Sequence, residues 1–365
     1  MSLSEKEQSI LDILDINPFI SQKELADRIH LSRSATANLL SGLQDRGYIL
    51  GRGYVLNSHV NITCIGAANL DHKLQFNETF VPHTSNPVSS KMSIGGVIHN
   101  IAENLGRLGC SVSLMTLLGD DLSGEQIIQA SRQIMKLHAA DRVPGAATGS
   151  YMAILDQTGN LMMGLADMDI YERMNREWMA SHRIHLQGSR MIVADCNAAL
   201  SGLEYLIAFS REEKTDLAVI GVSAPKMKRL PRDLRGIYLG VFNRDETQAY
   251  FMTQETDIRL LAQLWIERAG LSNVVVTAGE NGYAFGNQSG IFTAPAVKVD
   301  KIEDVTGAGD AFSGGVIYGL LQGRPLNEAV CYGAVNASET IKVKESVRKN
   351  LTEQILEQNV KENNK

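Results

Sequence analysis

The chain has no Cys-x-x-Cys pair and no Cys/His spacing of the kind that holds zinc. Its four cysteines, Cys64, Cys110, Cys196 and Cys331, lie far apart. They read as small buried hydrophobes in a reducing compartment, which excludes a disulfide-stapled scaffold. No apolar run approaches the ~18–20 residues needed to cross a bilayer. The N-terminus "MSLSEKEQS" is polar, so neither a membrane span nor a signal peptide is expected, and a cytoplasmic location is. A basic excess is also missing: the formal net charge of -6 argues against a polyanion binder overall while leaving room for a local basic face.

What is present is ordinary globular material, 365 residues with 44% hydrophobic and 21% charged, enough for one small module and one large α/β domain. The first sixty residues read as the small module. Ile10, Leu11 and Leu14 recur at helical spacing, and "NPF" stops that helix, because proline disfavours helical geometry in the residue before it. Ser21 with Glu24 forms a capping-box pattern that opens "SQKELADRI". A third helix, "RSATANLLSGLQDRG", ends at Gly47, and "YILGRGYVLN" reads as a hairpin around Gly51 to Gly53. This order predicts a winged helix-turn-helix over residues 1–58, with a large α/β domain over 59–365. Ser32, Arg33, Ser34, Thr36 and Asn38 at the third helix, and Arg52 on the wing, are the candidate DNA contacts. Acidic residues slightly outnumber basic ones in this module, so its non-specific affinity for DNA is expected to be weak.

Beyond residue 59, apolar strands such as "NITCIGAANLD", "SVSLMTLLG", "RMIVADC", "LAVIGV", "GIYLGVF" and "NVVVTAG" alternate with amphipathic helices. Such alternation predicts a mostly parallel sheet with helices on both faces and ligands at the carboxyl ends of the strands. Residues 72–93 and 149–167 break the pattern and read as β-ribbons. Inserted at the active edge, they would make a flap or a dimer clasp, with Met152, Met162, Met163 and Met168 as packing residues.

The stretch "DVTGAGDAFSGG", Asp304 to Gly315, sits between an extended segment and an apolar helix. Glycines at such a junction let backbone amides converge on an anion. The stretch lacks the G-K-[ST] of a Walker loop, and Phe312 occupies the third glycine place of G-x-G-x-x-G, which disfavours a dinucleotide site. Alone, Asp310 in this turn reads either as a helix cap or as a base beside an anion hole. A second glycine cluster, "MSIGGVIHNIAENLGRLG", places Gly95 and Gly96 just before a helix that carries Asn100 in its first turn.

Together the two clusters resemble the signature motifs of the ribokinase-like (PfkB) family of carbohydrate kinases, over about residues 60–345. The resemblance implies a ribokinase-like sandwich with a β-flap, an ATP- and Mg²⁺-dependent phosphotransferase, and Asp310 as the general base toward the acceptor hydroxyl. It implies that the amides of Gly307, Ala308 and Gly309 stabilise transferring phosphoryl oxygens. "NRDE" is similar to the family's N-x-x-E, so Asn243 and Glu246 are expected near Mg²⁺, Glu246 through water. Thr277, Gly279 and Gly282 in "TAGENG" are expected near ATP, and Asn336 at the adenine. Asn69, Asp71, Gly95, Gly96 and Asn100 would form the acceptor pocket, and Asp304 is the candidate ligand for a monovalent cation such as K⁺. His99 stands where relatives often carry arginine or a small residue, a candidate influence on acceptor choice.

Among acceptors, "TSNPV", "TGSYMAILDQTG", "LADMDI" and "VSAPK" look most like pseudouridine kinase and neighbouring nucleoside kinases. Ile220 replaces an aspartate usual in that group, and Val241-Phe242 replace a Lys-Pro. The expectation is phosphorylation of a 5′-hydroxyl on a nucleoside or ribofuranosyl sugar, pseudouridine first, by a homodimer. The rival is a transcription regulator whose kinase-like domain senses a sugar or nucleoside; the intact Gly307–Asp310 motif weighs against a pure sensor.

Overall fold

The computed structural model describes residues 3–16, 20–50 and 62–363. The expected helix stop at Asn17–Phe19, the wing with Arg52 and the boundary between residues 58 and 59 lie outside the described residues.

Three N-terminal helices, Glu5–Ile16, Gln22–Ile29 and Arg33–Asp45, enclose a core of Ile10, Leu14, Leu25, Ile29, Leu40, Leu43 and Ile49. The capping pattern at Ser21 forms in one direction, its hydroxyl accepting the Glu24 amide at 3.2 Å. Ser32 caps the third helix through the Ala35 amide, also at 3.2 Å. Thr36 is fully buried and donates its hydroxyl to Ser32 O at 3.0 Å. Thr36 is therefore corrected from a DNA contact to a structural residue, because its single donor closes the helix turn beneath the surface. Arg33, Ser34 and Asn38 remain exposed.

The large domain holds thirteen described strands: β1 Ile62–Ile65, β2 Asn69–Phe76, β3 Val88–Gly95, β4 Val112–Gly119, β5 Lys136–Val143, β6 Ser150–Leu155, β7 Leu161–Asp167, β8 Met191–Asp195, β9 Asp216–Ile220, β10 Leu239–Asn243, β11 Asn273–Thr277, β12 Tyr283–Asn287 and β13 Gly290–Ala294. Nine of them form one sheet in the order β13-β12-β11-β10-β9-β8-β1-β4-β5, parallel except for β12 and β13. Consecutive residues feed opposite cores. Met191 and Val193 of β8 face one layer and Ile192 and Ala194 the other, and β9 divides the same way. With each buried aliphatic side chain worth about 1.5–3 kcal/mol, both faces need their helices. Those helices include Val97–Arg107, Ala308–Leu321 and Leu326–Thr340 on one side and Leu200–Glu213 and Arg244–Phe251 on the other. The carboxyl ends of β1, β8, β9, β10 and β11 line up, bringing Asp195, Asn243 and Thr277 to one edge.

A separate four-stranded sheet, β3-β2-β6-β7, forms the flap. It starts at Asn69 rather than His72, so Asn69 and Asp71 do not cap β1; they open the first flap strand. The physical reason is Gly66-Ala67-Ala68, which turns the chain out of β1 and lets pairing resume with β3 and β6. Among the described residues, no helix is long and apolar enough to cross a membrane.

Candidate active site

The helix Ala308–Leu321 starts at Gly307, whose φ of 82° is left-handed and whose added Cβ would sit 2.2 Å from Ser346 O. Only glycine fits that position. Gly96, at φ 103°, does the same for the helix Val97–Arg107, where a Cβ would meet Ala67 O at 2.3 Å. The two helices then run side by side in one direction. Gly314 lies against Asn104, with 2.9 Å between its would-be Cβ and Asn104 Cβ. One turn earlier, Asn100 Nδ2 donates to Asp310 Oδ2 at 2.7 Å. Two helix N-termini therefore converge on one point, and both positive ends favour an anion there.

Burial pushes the Asp310 carboxyl up to about 7; the Asn100 hydrogen bond opposes that rise, while Asp195, Asp71 and Glu246 add to it. A base that titrates near neutrality exchanges a proton at little energetic cost in either direction. Behind it lies a buried polar ladder. Asn104 donates to Asn100 O at 2.8 Å and accepts from Asn336 at 2.9 Å; Asn336 also donates to Ala311 O at 2.8 Å and accepts from Arg348 at 3.0 Å. The adenine contact expected of Asn336 is not one its side chain can make here. It is fully buried, and its amide serves the ladder that locks three helices together.

On the flap side, where the acceptor pocket was expected, Asn69 Nδ2 donates to Asp71 Oδ1 at 2.6 Å. Gly95 pairs opposite Asn69, and a Cβ on it would lie 2.1 Å from Asp71 Oδ2. The glycine pair thus makes room for the acid and its asparagine, the arrangement suited to hydroxyl groups. Burial raises the Asp71 carboxyl above its ordinary value, against the Asn69 hydrogen bond. His99 points elsewhere. It is buried against Ser131 Oγ at 2.9 Å, so an influence on the acceptor is not supported by its position.

On the opposite side, Asn243 and Glu246 form a reciprocal capping box, each side chain meeting the other's amide at 2.8 Å. Glu246 Oε2 serves the cap, which leaves Oε1 outside it, and burial raises this carboxyl. Thr277 pairs in register with Asn243, and the turn Gly279–Asn281 follows at once. Phe242, in the place of a proline, is buried and stacked on Trp265 at 4.1 Å, so that change supplies core packing beneath the cap. Among the described residues, no three metal-ligating side chains converge. A Mg²⁺ ion fits this donor set only as it does in nucleotide sites generally, held by phosphate oxygens and water with Glu246 at its margin.

Two participants escaped the sequence reading. Asp195, wholly buried at the end of β8, accepts from the Ala67 amide at 3.2 Å and from Asn197 at 2.9 and 3.0 Å. Burial pushes it up to about 6. It fixes the turn that leads to Asn69, and the D-x-N at a strand end was the available signal. The other is Lys73, whose Nζ lies 2.7 Å from Asp304 Oδ2. Nothing in its spacing marks it apart from the two-residue offset from Asp71.

The pfkB family carbohydrate kinase model matches residues 60–353, and a winged helix-turn-helix DNA-binding model matches residues 3–49. The chain is 30% identical over 273 residues to the pseudouridine kinase of Escherichia coli, covering 74% of this chain and 86% of that protein. It is 27% identical over 343 residues to the uncharacterized sugar kinase YeiI of the same organism, covering 92% and 93%. A carbohydrate kinase from Agrobacterium tumefaciens has a similar structure, with TM-score 0.71, 29% identity, and coverage of 82% and 96%.

Because the Asn100 amide stabilises the charged form of Asp310, Asn100→Ala should raise that carboxyl further. With Asp310 as the base, the acid limb of the kcat/KM profile should move by about one pH unit to the alkaline side. A pH–rate series on both proteins checks this; an unmoved limb rejects Asp310 as the titrating base.

Proposed function

The chain belongs to the pfkB family of carbohydrate kinases, and we propose that it phosphorylates the 5′-hydroxyl of a nucleoside or ribofuranosyl sugar, with ATP as donor and pseudouridine as the first acceptor. The observation that carries this reading is the Asn100–Asp310 hydrogen bond where two helix starts converge. Asp310 takes the hydroxyl proton as the acceptor oxygen bonds to the γ-phosphorus and the bond to the bridging oxygen breaks, releasing ADP. The amides of Gly307, Ala308 and Gly309 would receive the transferring oxygens, Ala308 N–H by giving up the turn bond it makes to Val305 O at 3.2 Å. Asn69, Asp71, Gly95 and Gly96 hold the acceptor. Thr277, Gly279 and Gly282 border the nucleotide, and Glu246 with Asn243 orders the water around Mg²⁺, which supplies charge neutralisation on the triphosphate. Pseudouridine is placed first on the 30% identity to a kinase of that name.

Purified protein should consume ATP with pseudouridine faster than with other nucleosides or free ribose. Asp310→Asn should keep the fold and acceptor binding while losing at least about a thousandfold in turnover. Near-normal turnover in that variant rejects the base.

A homodimer through the flap completes the reading. The inner row Asp71, Lys73 faces the cleft, so the alternate row faces out. There His72, Met92, Met152 and Leu165 stand in register across four strands, with Leu74, Ile154 and Met163 beside them. Met92, Met163 and Leu165 are 59%, 53% and 47% exposed. A second copy stacking the same face is the occupant whose surface is complementary by construction. Met163→Asp should convert a dimer to a monomer in sedimentation; an unchanged mass places the interface elsewhere.

The three N-terminal helices carry the DNA-binding part of the proposal, as residues 1–58 ahead of a kinase domain at 59–365. Arg33, Ser34 and Asn38 present free surface on the third helix, while Ser32 reaches DNA only beside its cap. Arg33→Ala should weaken retardation of the gene's own upstream DNA in a mobility-shift assay, with and without nucleoside. No shift by the unsubstituted protein under either condition rejects DNA binding there.

A further inference from the structure

Lys73 follows Asp71 by two residues on β2, so both side chains leave the same face of the flap. Its ammonium lies 2.7 Å from Asp304 Oδ2 and 3.0 Å from Thr306 Oγ1. The other oxygen, Asp304 Oδ1, accepts the Thr306 amide at 2.9 Å and the Thr306 hydroxyl at 2.6 Å. Both carboxylate oxygens are thus engaged, three residues before Gly307. Burial alone would raise Asp304, yet the Lys73 ammonium and Thr306 hold it below the ordinary carboxylate value.

A neighbouring contact runs parallel to this one. Lys91 on β3 pairs in register with Lys73 and points its ammonium at Lys344 O, 3.5 Å away. Residues 341–346 back the glycine turn. Ile341 O accepts the Glu303 and Asp304 amides at 2.9 and 3.4 Å, and Ser346 O is the atom a Cβ on Gly307 would strike. The flap therefore places two ammonium groups on the two segments that support the start of the Asp310 helix.

The family resemblance led us to expect a monovalent cation at Asp304. The residues present do not fit one. The acid already holds a cation of the chain's own, and a second positive charge within ligand distance of Asp304 would meet the first at close range. We propose that the Lys73 ammonium stands in for a bound monovalent cation at Asp304, fixing the turn that presents Gly307–Asp310 and tying its order to the flap strand that carries Asp71. Lys73 is a positioning residue in this account, acting through Asp304 and Thr306. The turnover half of the account rests on the kinase reading; the binding half does not.

The test compares the full chain in equal concentrations of KCl, NaCl and choline chloride. The unsubstituted protein should melt at the same temperature in all three and turn over equally with or without K⁺. Lys73→Met uncovers Asp304. It should gain a saturable increase in melting temperature specific to K⁺, lost again when Asp304→Asn is added. Its turnover should fall about tenfold or more in choline and recover in K⁺. Lys73→Arg, which keeps the charge, should stay indifferent to the salt. A K⁺-specific rise in melting temperature or turnover of the unsubstituted protein overturns the proposal. So does a Lys73→Met protein that melts identically in the three salts. If no acceptor is phosphorylated at all, the kinase reading fails while the melting series still decides the cation question.

Discussion

One hydrogen bond between two helix starts, Asn100 to Asp310, organises the cleft. It exists because glycines let two helices lie close and let both turns adopt geometry that side chains forbid. Its energetic setting is adverse by design: Asp310 lies among Asp71, Asp195 and Glu246, so its charged form is disfavoured twice, by burial and by like charge. Two helix dipoles and one amide offset part of that. The remainder leaves a carboxylate ready to accept a proton near neutral pH, which neither a solvated aspartate nor a fully paired one would do.

Much of this was legible in the sequence because glycine is legible. A residue needed for its backbone leaves a mark that spacing alone reveals; Gly95, Gly96 and Gly307 carried that mark, and Asp310 was found beside the last of them. The parallel sheet followed from alternation, and the flap from the breaks in it. Asn336 was misjudged because an asparagine near a predicted site does not announce which way its amide points, and here it points into a buried ladder. Thr36 failed for a similar reason, since a helical threonine returns its hydroxyl to the turn before it. Asp195 closes an apolar strand, and although Asn197 lies only two residues on, the Ala67 amide that ties it to the site comes from 128 positions away in sequence. Lys73 had no signal of its own, because its partner is 231 positions distant.

The departures from the nucleoside-kinase pattern have different weights in the fold. Phe242 joins Trp265 and Tyr250 in a stacked cluster that supports the strand end below Asn243. Trp265 adds a hydrogen bond to Thr247 at 3.1 Å, one residue past Glu246. The capping box is therefore anchored from inside the core, and the loss of a Lys-Pro there leaves the polar edge in place. Ile220 is buried in the sheet beside Gly221, where a Cβ would lie 2.0 Å from Glu246 Oε2. That glycine keeps the acid's approach open where an aspartate next door is missing.

The flap has a further consequence through its two-residue period. One face of β2 carries Asp71 and Lys73, and the other carries His72 and Leu74 toward the methionine row. Slipping this strand by a single position exchanges the two faces completely, sending the acid outward and the apolar row into the cleft. The β6–β7 pair absorbs its one register irregularity at Ile154/Leu155, next to the connecting segment 156–160, so the two rows keep their faces along most of the ribbon.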